Sequence, residues 1–447
     1  MFTIGDSHWL VPGEQEEAIA ELLVRGGLLQ WDNGRKLPLK SGGTTDVYVN
    51  LRDMRKRPWT IAKLAELYEN PLRRLRPDCF VEVPDSVSPL AGHLSVITGI
   101  PLVTVREEEK PGRVVKGRVV GDLRRGLRVV IIDDVVTDAA SKLAALIELR
   151  SIGAEVLAIV VLVDRQQGWK QKLAQAGFGD VPVWAGMTLH DVRKHLVVYG
   201  LMQRCDPAIE AKNPIIVALD GKPWDEVFPI IDRLRPTGCI LKVNDLLWGK
   251  GIDKLVPDLS VYGRVMADMK NHDIPNTVGN NCKLLRTCPP WAVTVHASGG
   301  RAMIAAAREA LADTPTKILA VTVLTSIDPK TCEEIYVRQP LDQVLKLAEI
   351  VTRPAEKEPK RGVDGFVCSP QEVKALKERY PDAVLITPGV RSPGQEAGDQ
   401  QRVDTPQNAM VNGATNLVMG RQILGAPDPI VEVFRVMKEE LNIGIEQ

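Results

Sequence analysis

Between residues 214 and 425 the chain carries eight short apolar, largely β-branched runs, each followed by an amphipathic stretch. They are IIVAL (215–219), CILKV (239–243), RVMAD (264–268), AVTVH (292–296), ILAVTV (318–323), DGFVC (364–368), AVLIT (383–387) and NLVMG (416–420). Strands alternating with helical patterns such as PLDQVLKLAEIV must run parallel, because each helix carries the chain back to the same edge, and eight such units close into a (β/α)8 barrel. The third run, polar on both sides, is the weakest of the eight. In a barrel of this kind the chemistry collects where strands end. Those positions hold Asp220, Lys242, Asp268 with Lys270, His296, Thr325-Ser326, Ser369, Pro388-Gly389 and Gly420-Arg421. Polar and charged groups therefore gather at one rim.

The first half alternates differently. Runs at 47–51, 79–83, 101–105, 129–133, 156–163 and 181–184 are separated by helical patterns at about 14–25, 59–74, 87–97 and 140–152, which predicts an open α/β sheet. Residues 196–213 carry no strand and end at Asn213-Pro214, placing a domain boundary near Cys205 and predicting domains 1–205 and 206–447. The 57 basic and 57 acidic residues cancel, which excludes the broad polyanion affinity that nucleic acid or an anionic membrane would demand. The seven cysteines are scattered, without a C-x-x-C pair, and read as small core residues rather than a disulfide or zinc framework. The first residues lack a basic, then apolar, leader pattern and no run of about 18 apolar residues occurs, so a soluble cytoplasmic chain is expected.

The most specific segment is ADMKNHDIPNTVGN (267–280), where Asp268, Lys270 and Asp273 form D-x-K-x-x-D at a strand end. Strand alternation points Asp268 and Lys270 to one side. A lysine held between carboxylates stays protonated and is placed as a proton donor, while the carboxylates repel a substrate carboxylate set beside them. Such a site suits loss of CO2 followed by protonation of the carbon left behind. Charge spacing alone also fits a solvated surface ion-pair cluster. The surrounding letters decide between these: D-x-K-x-x-D-I followed by PNTV resembles the orotidine 5′-monophosphate decarboxylase family. VALD, LKV, VTVHASGG, VTVLTS, TPGVR, GDQQR and MGRQI continue the resemblance in order across about 214–425.

The resemblance implies a homodimer acting on a small nucleotide without metal or organic cofactor. Lys270 would protonate C6 of the pyrimidine, and Asp268 would face the departing carboxylate. Lys242 and Asp273 would complete the charge network, with Asp273 offered by the neighbouring subunit. Asp220 would hold the ribose hydroxyls and Ser326 the pyrimidine. Thr277 and Pro388 belong to the same substrate-binding set, and Gln400, Gly420 and Arg421 would grip the 5′-phosphate. The segment between Val390 and Val403 could close over that phosphate. His296 reads as a strand-end histidine outside the chemistry.

In the first half, VVIIDDVVTDAAS (129–141) is a strand feeding a small-residue loop that opens a helix, a natural phosphate cradle whose two acids can hold ribose hydroxyls or Mg²⁺. With LKSG (39–42), VYVNLR (47–52), PLAG (89–92) and VDRQQGW (163–169), it resembles the orotate phosphoribosyltransferase family. By that resemblance Asp133 and Asp134 would bind ribose, Thr137 and Ser141 the 5′-phosphate, Lys40 the diphosphate side and Arg165 the orotate, with Arg106 and Lys110 in the mobile catalytic loop. Mg²⁺ would serve only an active transferase. The order of the two halves resembles the fused uridine 5′-monophosphate synthases.

Two departures separate this half from the transferase pattern. The phosphate loop has Ala139 where the family has glycine, and Asp138 precedes it. If that position requires positive φ, alanine costs roughly 1 kcal/mol. A carboxylate about 5 Å from a phosphate costs on the order of 3 kcal/mol per unit charge at an effective dielectric near 20. The mobile loop reads Arg106-Glu107-Glu108-Glu109-Lys110, with an acid in place of its second basic residue and no histidine. Two alternatives stay open: a fully bifunctional chain, or a degenerate first half that scaffolds or regulates the barrel.

Overall fold

The computed structural model describes residues 14–32, 37–38, 44–106, 118–166, 168–353, 362–394 and 402–444. The chain divides into two compact units, Met1–Met202 and Gln203–Gln447.

The first unit is built on a six-stranded sheet of β1 (Cys79–Glu82), β2 (Leu102–Val105), β3 (Val119–Val120), β4 (Arg128–Val136), β5 (Glu155–Asp164) and β6 (Val183–Thr188), in the order β6-β5-β4-β1-β2-β3. Neighbours are parallel except β3, which runs antiparallel to β2. The central strands are apolar through their middles, at successive positions rather than alternate ones, because both faces are covered, and their charged residues fall toward the ends. Phe80, Val130, Ile132 and Val160 pack into one core, while Val81, Ile131, Ile159 and Val161 pack into the other. Helices Pro58–Leu75, Ser88–Thr98 and Ala140–Ile152 lie where the helical patterns predict them. The run at 47–51 behaves otherwise. Val47–Val49 pairs antiparallel with Leu29–Trp31 in a separate small sheet, and the chain turns into a 3-10 helix at Leu51–Lys56. The charged residues that follow Leu51 could not be buried inside a sheet covered on both faces.

The second unit is a closed barrel of eight parallel strands in chain order: β7 (Ile215–Ala218), β8 (Ile240–Val243), β9 (Val265–Asn271), β10 (Ala292–His296), β11 (Lys317–Val321), β12 (Gly365–Val367), β13 (Val384–Thr387) and β14 (Asn416–Met419). β14 returns to pair with β7, so no edge remains. Ile216, Ile240, Met266, Ala292, Leu319, Ile386 and Val418 fill the interior. The strand period of two carries those inward rows upward, from Ile240 to Lys242, from Met266 to Asp268 and from Ala292 to Thr294. The weakest run in the sequence becomes the longest barrel strand, β9, and its register against β10 shifts between Ala267 and Asn271.

Candidate functional site

The inward rows end in a cavity of about 760 Å³ at the rim where the barrel strands finish. Asp220, Lys242, Asp268 and Lys270 lie on its wall together with Thr325, Ser326, Pro388, Gly389, Gly420 and Arg421, so ten residues singled out in the sequence share one space.

Its floor is a chain of charges. Asp268, buried, receives two ammonium groups on one oxygen: Lys242 Nζ at 2.8 Å and Lys270 Nζ at 2.6 Å from Oδ2. Lys242 Nζ also donates to Asp220 Oδ2 at 2.5 Å. The lysine held between two carboxylates is therefore Lys242, whereas Lys270 bonds one carboxylate of its own chain and keeps a partly exposed side chain. Burial alone would pull the Asp268 carboxyl up, but the Lys242 and Lys270 charges outweigh it and hold Asp268 at about 2. Burial likewise opposes the charge on Lys242, and Asp268 and Asp220 more than restore it, raising its pKa.

Lys270 reaches the cavity by a route that simple alternation does not describe. Its φ is +47°, in the left-handed region, and between Ala267 and Asn271 the strand leaves its ladder with β10. Thr294 takes up the loose backbone: the Lys270 amide donates to Thr294 Oγ1 at 2.9 Å, and that hydroxyl donates to Asp268 Oδ1 at 2.8 Å. Asn244, the residue after β8, ties the same corner, donating from its side chain to the Asp268 carbonyl at 2.6 Å and from its amide to Asp220 Oδ1 at 2.9 Å. Sequence reasoning missed both, because it stopped at strand ends and acids. A hydroxyl at an inward position of VTVH was the available signal for Thr294. Arg391 of TPGVR also lines the cavity and was not singled out.

Asp273 and Thr277 do not line this cavity. Asp273 is exposed and accepts the Ile274 amide at 2.6 Å. His296 lies outside the lining too, its ring 5.2 Å from that of His272, and burial with the charges of His272 and Lys270 lowers its pKa. Gln400 and most of the segment expected to cover the phosphate lie outside the described residues.

In the first unit the acids at the end of β4 are already engaged. Asp133 is buried against Lys142 Nζ at 2.5 Å, and Lys142 also donates to the Val135 carbonyl and to Ser141 Oγ. Desolvation, then the neighbouring Asp133, pushes Asp134 up to about 7. Ala139 adopts φ +62° at the start of helix Ala140–Ile152, the conformation glycine would take without strain. Asp138 accepts the Ala140 amide at 3.1 Å and pairs with Lys172 at 2.5 Å; that lysine, then the amide, draws its pKa down. The carboxylate thus occupies an amide of the loop expected to cradle phosphate, and Thr137 Oγ1 lies 3.5 Å from the same carboxylate oxygen. Arg165, expected at the orotate, is buried and donates to Thr45 Oγ1 at 3.0 Å. Arg106 exchanges bonds with Arg118, while Lys40, Glu107 and Lys110 lie outside the described residues. Among the described residues no group of three or more His, Cys, Asp or Glu could hold a metal ion, and Asp133, expected at ribose or Mg²⁺, is committed to Lys142.

A model of the orotidine 5′-phosphate decarboxylase / HUMPS family matches residues 213–436. The chain belongs to that family. A phosphoribosyl transferase domain model matches residues 60–191 as well, so this member of the decarboxylase family carries a second domain ahead of its barrel. The decarboxylase of Nitrosococcus oceani is 39% identical over 237 residues, 52% of this chain and 99% of that protein. The decarboxylase of Alkalilimnicola ehrlichii is 42% identical over 230 residues, 50% and 95% of the two chains. The structure of Leishmania donovani UMP synthase is 31% identical, covers 43% of this chain and 40% of that one, and has a TM-score of 0.37. No described helix is long and apolar enough to cross a membrane.

Proposed function

We propose that the C-terminal half converts orotidine 5′-phosphate to UMP, releasing the pyrimidine carboxylate as CO2. The observation that carries this is the Lys242–Asp268–Lys270 array on the cavity floor of a decarboxylase-family barrel. With Asp268 held at about 2, it is a fixed negative charge at neutral pH. A substrate carboxylate set about 4 Å away meets a repulsion of roughly 4 kcal/mol at an effective dielectric near 20, which is relieved as CO2 departs. The electron pair of the broken bond stays on C6, the Lys270 ammonium delivers a proton there, and Lys270 is reprotonated from water.

Lys242 links Asp268 to Asp220, which we assign to the ribose hydroxyls. Ser326 is assigned to the pyrimidine, Gln400, Gly420 and Arg421 to the 5′-phosphate, and Pro388 to the substrate-binding wall. Asp273 and Thr277, outside their own chain's cavity, are assigned to the cavity of a second copy, making the working unit a homodimer. These steps use side chains of the protein alone, and we place the reaction in the cytoplasm.

Purified protein should form UMP from orotidine 5′-phosphate, and Lys270→Ala should lower kcat/KM on the order of 1,000-fold. Near-normal turnover by that variant would remove Lys270 as the proton donor. No turnover by the wild type would remove the function itself.

For the first half, the capture of the Ala140 amide by Asp138 favours a domain that no longer transfers phosphoribosyl groups over a fully bifunctional chain. The protein supplied with orotate, phosphoribosyl diphosphate and Mg²⁺ is expected to release no pyrophosphate. Robust release would make the chain bifunctional.

A further inference from the structure

Thr294 stands where the two halves of the decarboxylation machinery meet. It is fully buried, in the middle of β10, on the inward row between Ala292 and His296. Its hydroxyl oxygen accepts the Lys270 amide, so its single proton is left for Asp268 Oδ1. One group therefore fixes both the backbone that carries the proposed acid and the rotation of the carboxylate that opposes the substrate.

The surrounding geometry makes that demand acute. β9 drops out of register with β10 between Ala267 and Asn271, so regular ladder bonds do not set the path of Lys270. Lys270 also holds φ +47°, which residues with a side chain seldom adopt. Asp268 Oδ2 is taken by the two lysines, and without a partner on Oδ1 its carboxyl group is free to turn about its terminal torsion, carrying both ammonium contacts with it. A hydroxyl donating to a buried carboxylate is a charge-assisted bond of the strong kind.

From this we propose that Thr294 is the positioning residue of the site, bridging β9 and β10 so that the Asp268 carboxylate and the Lys270 ammonium meet the reacting carbon in fixed geometry. The inference rests on the decarboxylase function proposed above. Thr294 itself touches neither the substrate nor the proton in flight.

The test compares Thr294→Val, which keeps the shape and removes the hydroxyl, with Thr294→Ser, which keeps the hydroxyl and removes the methyl. Both are assayed for UMP formation and followed by thermal unfolding. Thr294→Val should lower kcat on the order of 100-fold, as a displacement near 1 Å does in a preorganised site. KM should move less than about threefold, because the substrate contacts are untouched. Thr294→Ser should stay within about fivefold of wild type in kcat, although it leaves the larger packing defect. Equal losses in both variants that follow their loss of thermal stability would make Thr294 a packing residue and overturn the proposal. So would unchanged turnover in Thr294→Val while wild type is active, which leaves the decarboxylase function standing. A wild type without turnover would instead overturn the function and this inference together.

Discussion

Asp268 concentrates the energetics of the barrel site in one side chain. Taking a carboxylate out of water is costly, and here the cost is met by two ammonium groups on one oxygen and a hydroxyl on the other. Because the lysines depress its pKa to about 2, below the value near 4 of an unfolded chain, Asp268 stabilises the folded barrel at pH above about 4 and loses that contribution as pH falls toward 2. The contribution is roughly 2 kcal/mol. Asp268→Asn does not titrate, so the stability difference between wild type and this variant, measured by urea unfolding, should narrow by that amount between pH 4 and pH 2. Parallel stability curves across that interval would show that the carboxylate is not held as described. The D-x-K spacing identified both side chains from the sequence. The identity of the lysine flanked by two carboxylates was not legible there, because Lys242 reaches Asp220 and Asp268 only through the lateral neighbourhood of β7, β8 and β9.

At the scale of elements, the two halves treat the turn after a strand in opposite ways. The barrel strands deliver a linked set of charges to the wall of a cavity, while the end of β4 and the loop after it commit their acids to lysines and a loop amide. Asp133 meets Lys142, Asp138 meets Lys172, and the Asp138 carboxylate sits on the amide of Ala140. The strain expected at Ala139 is present as φ +62°. The repulsion expected from Asp138 has an answer that sequence could not supply, since Lys172 belongs to a helix 34 residues further along. If loop chemistry is what silences this half, Asp138→Ser combined with Ala139→Gly frees the amide, removes the charge and relaxes the backbone. That double variant should gain measurable pyrophosphate release from orotate, phosphoribosyl diphosphate and Mg²⁺ where the wild type has none. Continued silence would place the defect elsewhere, with the acidic stretch beginning at Glu107 the next position to change.

For the whole molecule, the decisive question is how many copies make a site. Asp273 lies exposed and outside the cavity of its own chain, yet the motif that contains it also supplies Asp268 and Lys270. If a second copy completes the site, mixing inactive Asp273→Asn protein with inactive Lys270→Ala protein should restore up to about a quarter of wild-type activity per site, since one site in each mixed dimer receives both intact residues. A mixture as inactive as its components, under conditions where subunits exchange, would end the shared-site assignment. The sequence alone determined the two architectures and the rim that bears the chemistry, because strand and helix periodicities and the D-x-K-x-x-D run are properties of neighbouring residues. Only the tertiary structure decided that Lys242 is the doubly flanked lysine, that Thr294 bridges two strands beneath Lys270, and that Lys172 neutralises Asp138. Each of these is a contact between segments more than twenty residues apart, made by sheet closure and packing, which leave no local imprint on the chain.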